Sequence, residues 1–126
     1  MKHLDDSDHL LSTARFDNAA YLSGYVVECG LKSLLLDPGM PAAKQLGHDL
    51  RLMSGNALHL AAALSPARKR YNIPSSPPVA ALVRTWKPDE RYARKGATDH
   101  LLAESRVQAA HEAANAMIYP RLLDGI

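Results

Sequence analysis

A chain of 126 residues, 47% hydrophobic and 22% charged, holds apolar material for one core, so a single domain over 1–126 is expected. The net charge of +2 excludes a uniformly basic or acidic protein, the single cysteine excludes a disulfide framework or a zinc knuckle, and no run reaches the ~20 apolar residues of a membrane span. The opening MKHLDDSDHLL carries acids where an export signal wants bases, which together with a lone cysteine predicts a cytoplasmic protein.

Leu4, Leu10, Leu11 and Ala14 fall at roughly helical spacing behind acids suited to a helix N-terminus, and predict a short first helix over 4–14 that either runs on into the next or breaks just before it. The longest patterned run follows, from Phe16 to Leu36. Phe16, Ala20, Ser23, Val27, Gly30 and Leu34 alternate in steps of four and three and make one packing seam, widened by Leu22, Val26, Leu31 and Leu35. Cys29 reads as a small core residue of that helix. Tyr21, Tyr25, Glu28 and Lys32 form a narrow polar stripe within about 60° on an otherwise apolar helix. Glu28 and Lys32 are an i, i+4 pair worth roughly 0.2–0.5 kcal/mol on any helix. Gly24 and Gly30 each cost about 1 kcal/mol there relative to alanine, which points to a close approach by another element and to a stripe facing a cleft or second subunit.

Asp37, Pro38, Gly39 and Pro41 predict the end of this helix. From His48 the pattern resumes through Leu50, Met53, Ala57, Leu60, Ala61 and Leu64, with Asp49 placed to cap a third helix that Pro66 limits. Pro74, Ser75, Ser76, Pro77 and Pro78 read as a linker, Val79 to Trp86 as two helical turns before Pro88, and Thr98 and Asp99 as the opening of a last helix ended by Pro120. Its Ala109, Ala110, Ala113 and Ala116 would let the central helix or a symmetry mate approach closely. No segment alternates with period two, so the expected fold is all-α, a bundle of four or five helices.

Charge is uneven. Arg68, Lys69, Arg70, Arg84, Lys87, Arg91, Arg94 and Lys95 face only Asp89 and Glu90 between 68 and 95, a segment of local charge +6 that could track a phosphate backbone or serve as an ordinary solvated surface. A glycine-rich phosphate loop, a serine elbow and a cysteine pair are all missing. His111 to Asn115 resembles a zincin helix with asparagine in place of the second imidazole, and one imidazole does not hold zinc, so neither metal nor cofactor is expected. Arginine and histidine remain as chemistry for RNA: a group to move the 2′-hydroxyl or leaving-group proton, and a cation to hold the phosphoryl charge. The candidate pairs are Arg94 with His100, five residues between them, and Arg106 with His111, four between them. His48 and His59 read as capping or core-edge groups, His3 and His9 as surface residues.

Ala20-Tyr21-Leu22-Ser23-Gly24-Tyr25, Glu28-Cys29, Leu31-Lys32, Gly47-His48-Asp49-Leu50, Trp86 and Arg91-Tyr92, in that order, resemble a HEPN domain of the small stand-alone prokaryotic sort, over about 15–118. The resemblance implies an up-and-down bundle forming a homodimer, often paired with a minimal nucleotidyltransferase antitoxin, and in many members a metal-independent ribonuclease. Its catalytic motif is Arg, a polar residue, several more, then His, with a polar residue from an earlier helix, here Glu28. Arg91 and His100 have eight residues between them, Arg94 is followed by Lys95 and Gly96, and Arg106 by Val107. The rival expectations are a non-catalytic module in which Glu28, Lys32 and Arg91 form a buried polar network for nucleotide or partner binding, and a helical interaction domain with no ligand; Tyr21, Tyr25, Lys32, Arg91 and Tyr92 are the candidate substrate- or partner-binding residues.

Overall fold

The computed structural model describes residues 1–35, 49–57, 73–92 and 95–123, with the backbone only for 34, 35, 56, 57, 91, 92 and 121. Every regular element among the described residues is helical: α1 (Lys2–Ser12), α2 (Phe16–Leu35), α3 (Leu50–Leu52) running into a π-turn (Met53–Ala57), α4 (Pro77–Thr85), a 3₁₀ turn (Pro88–Tyr92), α5 (His100–Ala113), a second π-turn (Ala114–Ile118) and α6 (Tyr119–Leu123). The result is an all-α bundle. Its axis is α2, which packs on α5 and α1, while α4 packs on α5.

The predicted seam is the buried face of α2. Ala20, Ser23 and Val27 are wholly buried, as are Val26 and Leu31 beside them, and the Ser23 hydroxyl donates back to the Ala19 carbonyl at 2.7 Å. Across from them stand Ala109, Ala110 and Ala113, wholly buried on α5, whose lack of side-chain bulk brings the two helices together. One apolar cluster joins Val27 and Leu31 to Leu50, Met53, Val79, Leu82, Trp86 and Met117; a second joins Val26 to Leu4, Ala110 and Ala114. Each such leucine or valine removed from water contributes about 1.5–3 kcal/mol. Cys29 differs from its reading as a core residue: it is exposed, because it projects from the face of α2 away from the seam, between the buried Glu28 and Gly30.

α1 and α2 are separate helices. The chain reverses at Ala14, whose φ of +59° places a residue with a Cβ in the left-handed region. The amides of Ala14 and Arg15 bond to the carbonyls of Leu11 and Leu10 at 3.1 and 2.7 Å, the paired pattern of a Schellman motif with alanine where glycine is usual. Ala14→Gly is therefore expected to stabilise the fold by about 1 kcal/mol, read as a higher urea midpoint at unchanged slope; a lower midpoint would show the strain to be absent.

Asp49 and Asp99 cap as predicted, each accepting the amide three residues on, from Leu52 at 3.0 Å and Leu102 at 2.8 Å. Two proline readings are corrected. Pro77 and Pro78 belong to the first turn of α4 and not to the linker, since the first-turn amides have no intrahelical acceptor and a missing donor costs nothing there. Pro120 does not end the last helix, which runs on to Leu123: the π-turn over Ala114–Ile118 resets the ladder, so Pro120 falls in the first turn of α6. The predicted stop at Asp37 to Pro41, the third helix beyond Ala57 with His59 and Pro66, and His48 lie outside the described residues. No helix among those residues is long and apolar enough to cross a membrane.

Candidate functional site

Trp86 organises the surface around the polar stripe. Its ring lies against Gly24, where a Cβ would stand 2.0–2.2 Å from three indole atoms, and its Nε1–H donates to the Tyr21 carbonyl at 3.0 Å. Glycine at 24 thus makes the seat for the indole. Tyr25 meets Trp86 edge-on at 5.1 Å, Tyr21 meets Tyr25 edge-on at 5.2 Å, and the Tyr21 hydroxyl donates to the Tyr25 hydroxyl at 2.9 Å. This aromatic wall separates two clefts: Tyr21 lines the first, of about 590 Å³, and Tyr25 and Trp86 line the second, of about 790 Å³.

The first cleft sits where α2 begins, against the loop before α5. Arg15 lines it from just before α2, Phe16, Asp17 and Asn18 from the first turn of α2, Lys95, Gly96 and Thr98 from the loop, Leu102 and Arg106 from α5, and Glu90 from the 3₁₀ turn. Asp17 ties the loop in place, its carboxylate accepting the Gly96 amide at 2.7 Å and the Thr98 amide at 2.9 Å. Those two bonds, helped by the Lys95 charge, hold its pKa below the ordinary carboxylate value. The depressed pKa means that the ionised form stabilises the fold above pH ~4 and that this contribution fades as pH falls through the folded value. Asp17→Asn should therefore lie below the wild type in urea midpoint at pH 7 and converge with it in acid; a gap independent of pH would contradict the ionised role.

Arg106, only 6% exposed, lies at the base of this cleft. Its Nη1 pairs with Glu90 Oε2 and its Nη2 with Glu90 Oε1 at 2.9 Å, a bidentate fork, while Thr85 Oγ1 lies 3.5 Å from Nη2. The buried Nε has no hydrogen-bond partner among the described residues. Arg15 and Lys95 are exposed and, among the described residues, form no salt bridge within 4 Å. Two surface cations, a buried guanidinium and the amino end of a 20-residue helix thus converge on one concavity, opposed by two carboxylates that are already engaged.

The sequence-predicted site residues divide among several places. Tyr21 and Arg106 meet in the first cleft. His100 is not part of the cleft lining but packs on Phe16, which is, its ring 5.1 Å away; its Nε2 lies 2.9 Å from Glu104 Oε1, with 56% of the side chain exposed. His111 does not join Arg106: five residues apart on α5, the two point about 140° from one another, and His111 Nε2 lies 2.7 Å from Asp8 Oδ1 on α1. Glu28, 4% exposed, pairs with Lys32 Nζ at 3.7 Å and lines neither cleft. Beside it the thiol of Cys29, exposed at the surface, is pushed up by desolvation among its neighbours and by the Glu28 carboxylate against the weaker opposing pull of Lys32. Arg91 and Tyr92 close the 3₁₀ turn, described by their backbone; Arg94 lies outside the described residues, as do Arg68, Lys69 and Arg70.

Arg15 and Asp17 were missing from the sequence reading of the site. Position alone marks them, a base and an acid at the mouth of the longest helix, but the partners of Asp17 stand 79 and 81 residues away. No family model, curated protein or solved structure matches the chain.

Proposed function

We propose that the protein is a HEPN-type module that binds RNA or a nucleotide by its phosphates in the first cleft, as one half of a toxin–antitoxin pair with a minimal nucleotidyltransferase. The observation that carries this reading is the gathering of Arg15, Lys95 and Arg106 around the first turn of α2. Phosphate favours such a place because helix amides and fixed cations both complement its charge. The all-α bundle accords with the resemblance, and Leu101, 73% exposed beside Leu102 at the cleft edge, offers apolar surface for the second copy of a homodimer. Binding of single-stranded RNA should weaken at least tenfold at low salt in Arg15→Ala/Lys95→Ala, with the salt dependence shallower by about 1.4 in slope, roughly 0.7 for each lost phosphate contact. A double variant that binds as the wild type does would remove the cleft from the function.

A second reading, metal-independent ribonuclease, is favoured by His100. Glu104 orients an accessible imidazole that packs on Phe16 of the cleft lining, the arrangement of a general base or acid. In that chemistry the 2′-oxygen attacks phosphorus, the imidazole takes its proton, and the 5′-oxygen leaves carrying a proton from a general acid, giving a 2′,3′-cyclic phosphate. Cleavage by wild-type protein in the presence of chelator, lost in His100→Ala and kept in His111→Ala, would establish it. Loss in His111→Ala alone would move the site to the Asp8–His111 pair. Growth arrest on expression, relieved by the partner nucleotidyltransferase, tests the pairing.

A further inference from the structure

We infer that the second cleft is a separate phosphate-binding surface, which takes the backbone of the same RNA strand after it crosses the aromatic wall. This assignment rests on the RNA-binding reading of the first cleft. Arg51, Arg84 and Lys87 line the second cleft together, all three exposed and, among the described residues, none in a salt bridge within 4 Å. Three like charges in one concavity repel one another, and an anion bound there relieves that repulsion. Asp49 and Asp89 share the cleft, so the three cations outnumber the carboxylates by one among the described residues, and one oxygen of Asp49 is held by the Leu52 amide.

The cations stand on anchored backbone, which lowers the ordering cost of binding. Lys87 lies between Trp86, 3% exposed and fixed by its bond to Tyr21, and Pro88; Arg84 is in the last turn of α4, and Arg51 is in the turn that Asp49 caps. Trp86 is too buried to stack on a base, so this surface reads phosphate and not sequence. Tyr21 and Tyr25, one in each cleft, are a single helical turn or about 6 Å apart along α2, so a short strand spans both clefts.

The test is titration of a 2′-O-methyl oligo-uridylate, which lacks the 2′-hydroxyl needed for self-cleavage, over a range of salt. Arg51→Ala/Arg84→Ala/Lys87→Ala should bind at least tenfold more weakly at low salt and flatten the salt slope by about 2, roughly 0.7 for each of three contacts. Lys2→Ala, an exposed charge on α1, should leave the slope unchanged. A triple variant that matches wild type while Arg15→Ala/Lys95→Ala is weakened overturns this inference and leaves the first cleft standing. A wild type that does not bind at all overturns both. Uridine monophosphate competing as well as the oligomer, phosphate for phosphate, overturns the strand assignment in favour of a small free phosphate ester.

Discussion

Gly24→Ala is expected to cost about 3 kcal/mol or more, lowering the thermal midpoint by about 12 °C for a domain of this length. A Cβ at 24 would stand 2.0 Å from Trp86 Cε2 and 2.2 Å from Cδ2 and Nε1, distances that no relaxation of a methyl group alone relieves. The indole must leave its seat, and with it go the Nε1 bond to Tyr21 and the edge contact to Tyr25. The gain in helix propensity from glycine to alanine, about 1 kcal/mol, is outweighed. Gly30→Ala provides the contrast, because its intruding neighbour is the Cε of Met117 at 2.8 Å, the end of a flexible side chain that can turn aside. That variant should lie within about 1 kcal/mol of wild type, propensity offsetting the adjustment. Trp86 is the sole tryptophan, so its fluorescence reports the site directly: a red shift is expected in Gly24→Ala and none in Gly30→Ala. Equal losses in the two would mean that the indole is not what glycine accommodates.

The same residue shows where sequence reasoning stops. The seam of α2 was legible because burial there follows one helical period, and Ala20, Ser23 and Val27 obey it. The glycine cost at 24 announced a close neighbour, but nothing local names Trp86, whose indole reaches the Tyr21 carbonyl across 65 residues. Spacing also paired Arg106 with His111, although five residues turn a helix through about 140° and Arg106 finds Glu90 instead, 16 residues back on the 3₁₀ turn. Caps were legible because Asp49 and Asp99 act on amides three residues away. Proline positions misled because the penalty depends on the turn a proline occupies, which the residues Pro77, Pro78 and Pro120 do not themselves declare.

Glu90→Gln is expected to move stability and affinity in opposite directions. Arg106 is almost wholly buried, whereas the Glu90 side chain keeps 26% of its surface in water. Taking the charge from Glu90 leaves the guanidinium desolvated without a counter-ion, a loss that runs to about 3–5 kcal/mol when a buried partner is deleted outright and is expected near the lower figure for the amide, which still accepts one bond. Removing the arginine by Arg106→Met leaves a carboxylate that can turn to solvent, so that variant should be less damaging than Glu90→Gln, and Glu90→Gln/Arg106→Met should recover to within about 1 kcal/mol of wild type. Urea unfolding of the four proteins closes this cycle; a Glu90→Gln variant as stable as wild type would mean that Arg106 needs no counter-ion. The same substitution removes one negative charge from the first cleft and frees one arm of the Arg106 fork for phosphate, so on the proposed function RNA affinity at low salt should rise several-fold as the fold weakens. A purely structural ion pair predicts weaker binding alongside the weaker fold, which sets the proposed phosphate contact of Arg106 apart from its structural role in a single variant.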